Sequence, residues 1–297
     1  MSKLAVAQLL SVEQLSSMTI AQLISYGQQH LSPISDSAKL DVELLICFAI
    51  NKPTTYLLTW PEQTLSKAQT KHFAELLLRR IDGEPIAYIL KTREFWSLAL
   101  QVSPATLIPR PDTEVLVELV LNNHQDKKLT CLDLGTGTGA IALALASEQP
   151  SWQIDAVDYS DEAVILAQHN AKNLVLSQVN IFQSDWFSNI EQGKRYDVIV
   201  SNPPYIDEDD KHLSEGDVRF EPKSALVAQD KGLSDIKLIA AQARHYFNAI
   251  GYFYVEHGFE QTQTVQEILR EFGYQKIATV KDYNGNDRIT SGCFIKN

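Results

Sequence analysis

Cysteine is scarce: Cys47, Cys131 and Cys293 are the only three in 297 residues. Their odd number and wide spacing exclude a disulfide framework and match no zinc-binding pattern. Each stands among apolar neighbours, as a small buried hydrophobe does. Such sparing use suits a reducing cytoplasm. Basic runs are missing too. The net charge is -11, from 26 Lys+Arg against 37 Asp+Glu. Phosphate backbones recruit clustered cations, so direct nucleic-acid binding is not expected. The densest basic group, Lys71, Arg79 and Arg80, falls on a predicted helix and reads as a solvated face. No apolar run approaches the ~20 residues that span a bilayer, so no membrane contact is expected. Met1 to Leu10 carries one Lys and a short apolar stretch broken by Gln8, which is not a signal-peptide pattern. Internal repeats and low-complexity segments are absent. What remains is 44% hydrophobic and 21% charged, the balance of a globular cytoplasmic chain long enough for two domains.

Residues 1–15 form an N-terminal extension of undefined structure. Apolar residues then recur at helical spacing: Ile20, Leu23 and Ile24, next Val42, Leu44, Leu45 and Phe48, then Phe73, Leu76, Leu77 and Ile81. Ser66 and Gln69 stand where a capping box would open the last of these helices. Residues 1–82 are thus predicted to be a small helical domain. Over 83–108 the pattern changes, and Phe95, Trp96, Leu98, Leu100 and Val102 suggest a hairpin linking two domains. Pro111, followed by Asp112 and Glu114, marks a helix start. Residues 109–297 then alternate strand and helix. Strands are predicted at Thr130–Leu134, Gln153–Asp158, Val179–Gln183, Tyr196–Ser201 and Gly251–Glu256, with helices between them, including Ala140–Ser147 and Asp161–Asn173. Such alternation implies an α/β, doubly wound parallel sheet with helices on both faces. Ile277–Val280 and Ile289–Ile295, joined by a turn at Asn284–Asp287, add a terminal antiparallel hairpin.

Two motifs carry chemistry. Gly135-Thr136-Gly137-Thr138-Gly139 follows the first of these strands and opens a helix. Glycines let the backbone turn sharply and approach a ligand. Asp158 ends the next strand, where a carboxylate can accept from ribose hydroxyls. This pattern leaves open whether the cofactor is a nicotinamide dinucleotide or S-adenosyl-L-methionine. Asp133, just before the first glycine, suits a cofactor bearing an ammonium and a sulfonium. Asp185-Trp186 follows the third strand, placed to meet an adenine ring.

Asn202-Pro203-Pro204-Tyr205 follows the fourth strand. The prolines fix the backbone and cannot extend a sheet. A planar nitrogen, whose lone pair is delocalised, must be held and its developing charge stabilised before it can be methylated. The Asn202 side-chain oxygen and the Pro203 carbonyl can accept its two N–H groups, which is catalysis by positioning and oriented dipoles. Tyr205 can stack on the planar group. The sulfonium is itself a reactive electrophile, so no metal is needed. Adenine, cytosine, guanine and glutamine all offer such a nitrogen. A nicotinamide oxidoreductase would leave this motif without a use, and a non-catalytic binding protein would have no need of either motif.

Further stretches narrow the choice: Gly83 to Tyr88, Arg93 to Trp96, Thr106 to Glu114, Gly216 to Pro222, and Ala225-Leu226. With the proline motif they resemble the bacterial release factor glutamine methyltransferases, from about Thr19 to the C-terminus. The resemblance implies a class I S-adenosylmethionine-dependent methyltransferase sheet with a small N-terminal helical domain joined by a β-hairpin. It implies an acceptor glutamine in the Gly-Gly-Gln motif of class 1 peptide chain release factors. By the same resemblance, Gly135 to Gly139, Asp158, Trp186 and Asn202 would bind the cofactor. Asn202 to Tyr205, with Arg110, would meet substrate, and Glu114 would line or brace the site. Alternatives are an amino-methyltransferase acting on a nucleic-acid base, adenine or guanine, and the sister family that methylates a ribosomal-protein glutamine. Lys91 departs from the family pattern, which has glycine there. Ile206–Lys231 is long for a strand–helix connection and is expected to cover the substrate.

Overall fold

Three Ser/Thr-x-x-Gln boxes each open a helix in the N-terminal part of the chain by giving orphan amides a partner: Ser11 with Gln14, Thr19 with Gln22, and Ser66 with Gln69. The computed structural model describes residues 11–125 and 128–296. Met1 to Leu10 of the N-terminal extension lie outside the described residues, while Val12–Ser16 is a capped helical turn with Leu15 buried. Contacts divide the chain into two units: residues up to Lys91 with Ser214–Phe220, and Thr92–Leu213 with Glu221–Asn297.

In the helical unit, helices Ile20–Leu31, Ala38–Ile50 and Lys67–Ile81 share one core containing Leu23, Val42, Leu45, Phe73 and Leu77. Gly27 lets the first two approach, since a Cβ there would lie 2.7 Å from a Val42 methyl. Arg80 is not part of a solvated basic face. It is buried, and its Nε donates to Asp41 Oδ2 at 2.9 Å, its Nη1 to Asp217 Oδ1 at 3.0 Å. Ser35 and Ser37 donate hydroxyls to the same Asp41 carboxylate. A guanidinium goes inside only when its charge and its N–H groups are met in this way. Lys71 and Arg79 do stay at the surface, with Arg79 forked onto Glu84.

The linker expected over 83–108 is divided. Helix Ile86–Leu90 counts with the helical unit, and the hairpin β1 (Thr92–Phe95) and β2 (Leu98–Gln101) with the other. Lys91 ends that helix at φ 59°, ψ 22°, the left-handed conformation glycine adopts without strain. Trp96 and Ser97 form the hairpin turn with φ of 53° and 59°, the two positive values of the tight turn that matches strand twist. Trp96 is held there at both ends: its backbone N–H donates to Glu114 and its indole Nε1 to Glu148.

The second unit centres on a seven-stranded sheet. Strands β3 (Thr130–Leu134), β4 (Gln153–Asp158), β5 (Val179–Gln183), β6 (Tyr196–Ser201) and β7 (Phe247–Glu256) run parallel, and β8 (Gln275–Lys281) and β9 (Asp287–Ile295) close one edge as the expected hairpin. The order is β5-β4-β3-β6-β7-β9-β8. β7 begins at Phe247, earlier than expected, because Phe247 already pairs with Tyr196 of β6. Helix Ala140–Glu148 is buried almost all round, as a helix with apolar residues on every face must be. Strand order reverses between β3 and β6, and a crevice opens at the carboxyl ends where it does. The glycine loop leaves β3 and the proline motif leaves β6, so topology alone brings the two motifs together.

Candidate active site

A cavity of about 260 Å³ occupies that crevice. Gly135, Thr136, Gly137 and Thr138 form one wall with Asp158 and Trp186. Asn202, Pro204, Arg110 and Thr113 belong to the same lining. Pro203 and Tyr205 are not in it, and neither is Gly139.

The glycine loop is built by bonds within itself and to the end of the neighbouring strand β4. Gly135 and Gly137 take φ of 72° and 55°, open to glycine at no steric cost. The Gly137 N–H donates to Asp158 Oδ2 at 2.8 Å and the Ser160 N–H to Oδ1 at 3.0 Å, so the carboxylate is aimed before any ligand arrives. Burial raises its pKa, and these backbone donors pull it back. The Trp186 ring lies against Gly135, where a Cβ would meet it at 3.5 Å. Gly139 instead caps helix Ala140–Glu148 at φ 86°, and a Cβ there would meet Leu143 at 2.9 Å. Asp133 is buried beneath the loop. Thr136 Oγ1 donates to its Oδ2 at 2.6 Å, Oδ1 has no hydrogen-bond partner among the described residues, and burial pushes the carboxyl up to about 7.

The opposite wall depends on groups from distant parts of the chain. Asn202 Nδ2 donates to Thr113 Oγ1 at 3.2 Å. Arg110 is paired with Glu221, whose other oxygen accepts from the Ile108 N–H at 3.1 Å. The Tyr205 hydroxyl donates to Glu256 Oε1 at 3.2 Å behind the wall, and burial raises the phenol pKa, so it stays a donor. Glu256 is only 1% exposed. Burial pushes its carboxyl up to about 7, against the Thr113 hydroxyl, Arg288 and Tyr205, which stabilise the anion. Glu114 braces the hairpin turn rather than lining the cavity. The long connection after the proline motif is pinned at its base by Ile206 N–H to Leu226 O (2.9 Å) and Ala228 N–H to Ile206 O (3.0 Å), with Ser224 and Ala225 in the wall.

Sequence reading missed Thr113, Asp235 and Glu256. Thr113 sits inside a stretch singled out for other reasons. Glu256 ends an otherwise apolar strand, a signal that was available: a carboxylate closing the apolar run of a central strand is either a ligand or a buried support. Nothing local marks Asp235, which enters the wall from helix Ser234–Ala243.

Residues 111–267 match the methyltransferase small domain, and residues 22–90 match the PrmC N-terminal domain. The release factor glutamine methyltransferase of Shewanella oneidensis is 53% identical over 273 residues, covering 92% of this chain and 95% of its own. That of Escherichia coli K12 is 50% identical over 262 residues, with 88% and 94% covered. The chain belongs to the release factor glutamine methyltransferase family. It is therefore a methyltransferase with the class I fold and a family N-terminal helical domain. Among solved structures, a methyltransferase from Pyrococcus furiosus superposes with a TM-score of 0.51 at 18% identity, covering 75% of this chain and 99% of that one. A T. thermophilus 16S rRNA methyltransferase in complex with AdoMet and guanosine gives 0.52 at 17% identity, covering 69% and 50%. At such identity these show the shared fold. No helix among the described residues is long and apolar enough to cross a membrane.

Proposed function

We propose that this family member methylates the side-chain amide nitrogen of the glutamine in the Gly-Gly-Gln motif of class 1 peptide chain release factors, using S-adenosyl-L-methionine, in the cytoplasm. The observation that carries the reading is one cavity lined both by the glycine loop with Asp158 and by Asn202 and Pro204. The residues fit such a cofactor: Asp158 is pre-aimed for ribose hydroxyls, the loop lets backbone come close, and the Trp186 indole offers a face for adenine. When bound, the cofactor supplies a sulfonium methyl that reacts without a metal.

The chain's own residues do the rest. Asn202 Oδ1 accepts one N–H of the acceptor amide at the cavity wall, and the Pro203 carbonyl, outside that lining, accepts the other once the side chain has entered. This holds the nitrogen and stabilises positive charge as it develops, without a strong base. Arg110, neutralised by Glu221, shapes the wall rather than offering a free cation. Tyr205 supports the motif through its hydroxyl, and a stacking role for its ring requires substrate to reach past Pro204. The helical unit recognises the partner protein, since the cavity admits only a side chain. Binding of nucleic acid is not part of this reading, given the net charge of -11.

The test is methyl transfer from labelled S-adenosyl-L-methionine to purified class 1 release factor. A Gln→Ala change in its Gly-Gly-Gln motif and plain DNA serve as comparisons. Label on the wild-type factor alone is expected. Label on DNA or on ribosomal components instead would overturn the substrate assignment.

A further inference from the structure

Asn202 can serve as an acceptor only if its amide is the right way round. The two ends of a carboxamide have the same shape and opposite hydrogen-bonding character. If Nδ2 faced the acceptor nitrogen, two donors would meet and the substrate amide would be repelled. Something in the protein has to choose the orientation.

The choice is made behind the wall. Asn202 touches Thr113 at 3.2 Å. Thr113 is itself buried and carries a single hydroxyl proton. Glu256, buried at the end of β7, is the carboxyl that the same Thr113 hydroxyl stabilises as an anion. One carboxylate oxygen accepts from Tyr205, while Oε2 is buried and meets no donor in full hydrogen-bond geometry among the described residues. A carboxylate with an unfilled acceptor attracts a hydroxyl proton more strongly than an amide oxygen does. The Thr113 proton therefore turns toward Glu256, and its oxygen is left to accept. Only the NH₂ end of Asn202 can complete that contact, so Oδ1 becomes the end presented to the acceptor nitrogen.

We propose that Glu256 is a positioning residue that acts through Thr113 to set the orientation of the Asn202 amide. This rests on the methyl-transfer reading above and applies to any planar nitrogen the wall receives. The charged and titratable groups acting on Glu256 are Tyr205, Arg288 and Asp112. Arg288 is in turn paired with Asp282, and the neighbouring His257 is engaged by the Gly258 carbonyl and Thr290. Protonated Glu256 would have a proton to give. The chain could then reverse, with Thr113 donating to Asn202.

The experiment compares wild type with Thr113→Val, Thr113→Ser, Glu256→Gln and the Val/Gln double variant. It measures kcat on the acceptor that wild type labels, and cofactor affinity by calorimetry as the folding control. Thr113→Val is expected to lower kcat by about tenfold to a hundredfold, the scale of a misplaced reacting group, at unchanged cofactor affinity. Thr113→Ser recovers most of the loss. Glu256→Gln loses a similar factor, and the double variant loses no more than the worse single one, because both act through one contact. Wild-type kcat falls on the acid side of about pH 7, the value to which the Glu256 carboxyl is raised, and Thr113→Val lacks that limb. Equal losses in the Ser and Val variants, multiplicative losses in the double variant, or a limb that persists in Thr113→Val would each overturn the proposal. If Thr113→Val fails to bind cofactor, Thr113→Ala replaces it, and an acid limb as large in that variant as in wild type is a refutation. Wild type labelling no acceptor at all would sink the functional reading, and this inference with it.

Discussion

The two walls of the cavity are made differently. The glycine-loop wall is assembled mainly within one strand–helix–strand stretch, residues 133–160, and largely from backbone donors: Gly137 and Ser160 N–H groups aim Asp158, and Thr136 donates to Asp133. The wall around Asn202 takes its support from Thr113, Glu221 and Glu256, from three separate parts of the chain. A wall of local backbone bonds tolerates change elsewhere in the molecule. A wall held by buried charges from distant elements is correct only when the whole sheet is.

This contrast can be broken at either side. The largest effect is expected from Asn202→Ala, which removes an oriented acceptor: kcat should fall about 10²–10³-fold, far more than cofactor affinity falls by calorimetry. Equal loss of affinity would mean the walls are not separable. Next comes pH. The Asp133 carboxyl is raised to about 7, so between roughly pH 4 and 7 the folded state holds a proton the unfolded state has lost. Stability from this group is full at low pH and declines as pH rises toward 7, by up to ~4 kcal/mol for a shift of this size. The pH slope of the melting temperature should flatten in Asp133→Asn; an unchanged slope would assign it to other groups. Asp158→Asn should weaken cofactor binding by about tenfold to a hundredfold, the worth of a charged hydrogen bond, while kcat at saturation stays within a fewfold. Smallest is Lys91→Gly, remote from both walls. Relieving the positive φ should stabilise the protein by about 0.5–1 kcal/mol, read from denaturant midpoints, and leave kinetics untouched.

What could be read from sequence follows the same divide. Strands β3 to β6 and the terminal hairpin stand where apolar runs and turn residues placed them, and both motifs lie at the switch point, because those signals are local. Arg80 escaped, since nothing near it announces that Asp41 and Asp217 will meet it inside. Glu256 and Thr113 escaped for the same reason. Gly139 looked like its companions in the loop, yet its missing Cβ makes room for Leu143, a packing demand that only three dimensions reveal. Tyr205 belongs to a chemical motif by position, but its hydroxyl faces a buried carboxylate.

Arg80 has one more consequence, for how this protein is made. Its two carboxylate partners lie on either side of it in the chain, Asp41 before and Asp217 after, the latter 137 residues downstream. A ribosome adding ~5–20 residues per second needs roughly 7–27 s to cover that interval. During that time the nascent helical unit holds a guanidinium with half of its counter-charge. The unit is complete only once Ser214–Phe220 has emerged, so its birth order is not its assembly order. A truncated chain ending before Asp217 should expose this on the ribosome, as a helical unit more easily cut by protease than the same residues in the finished protein.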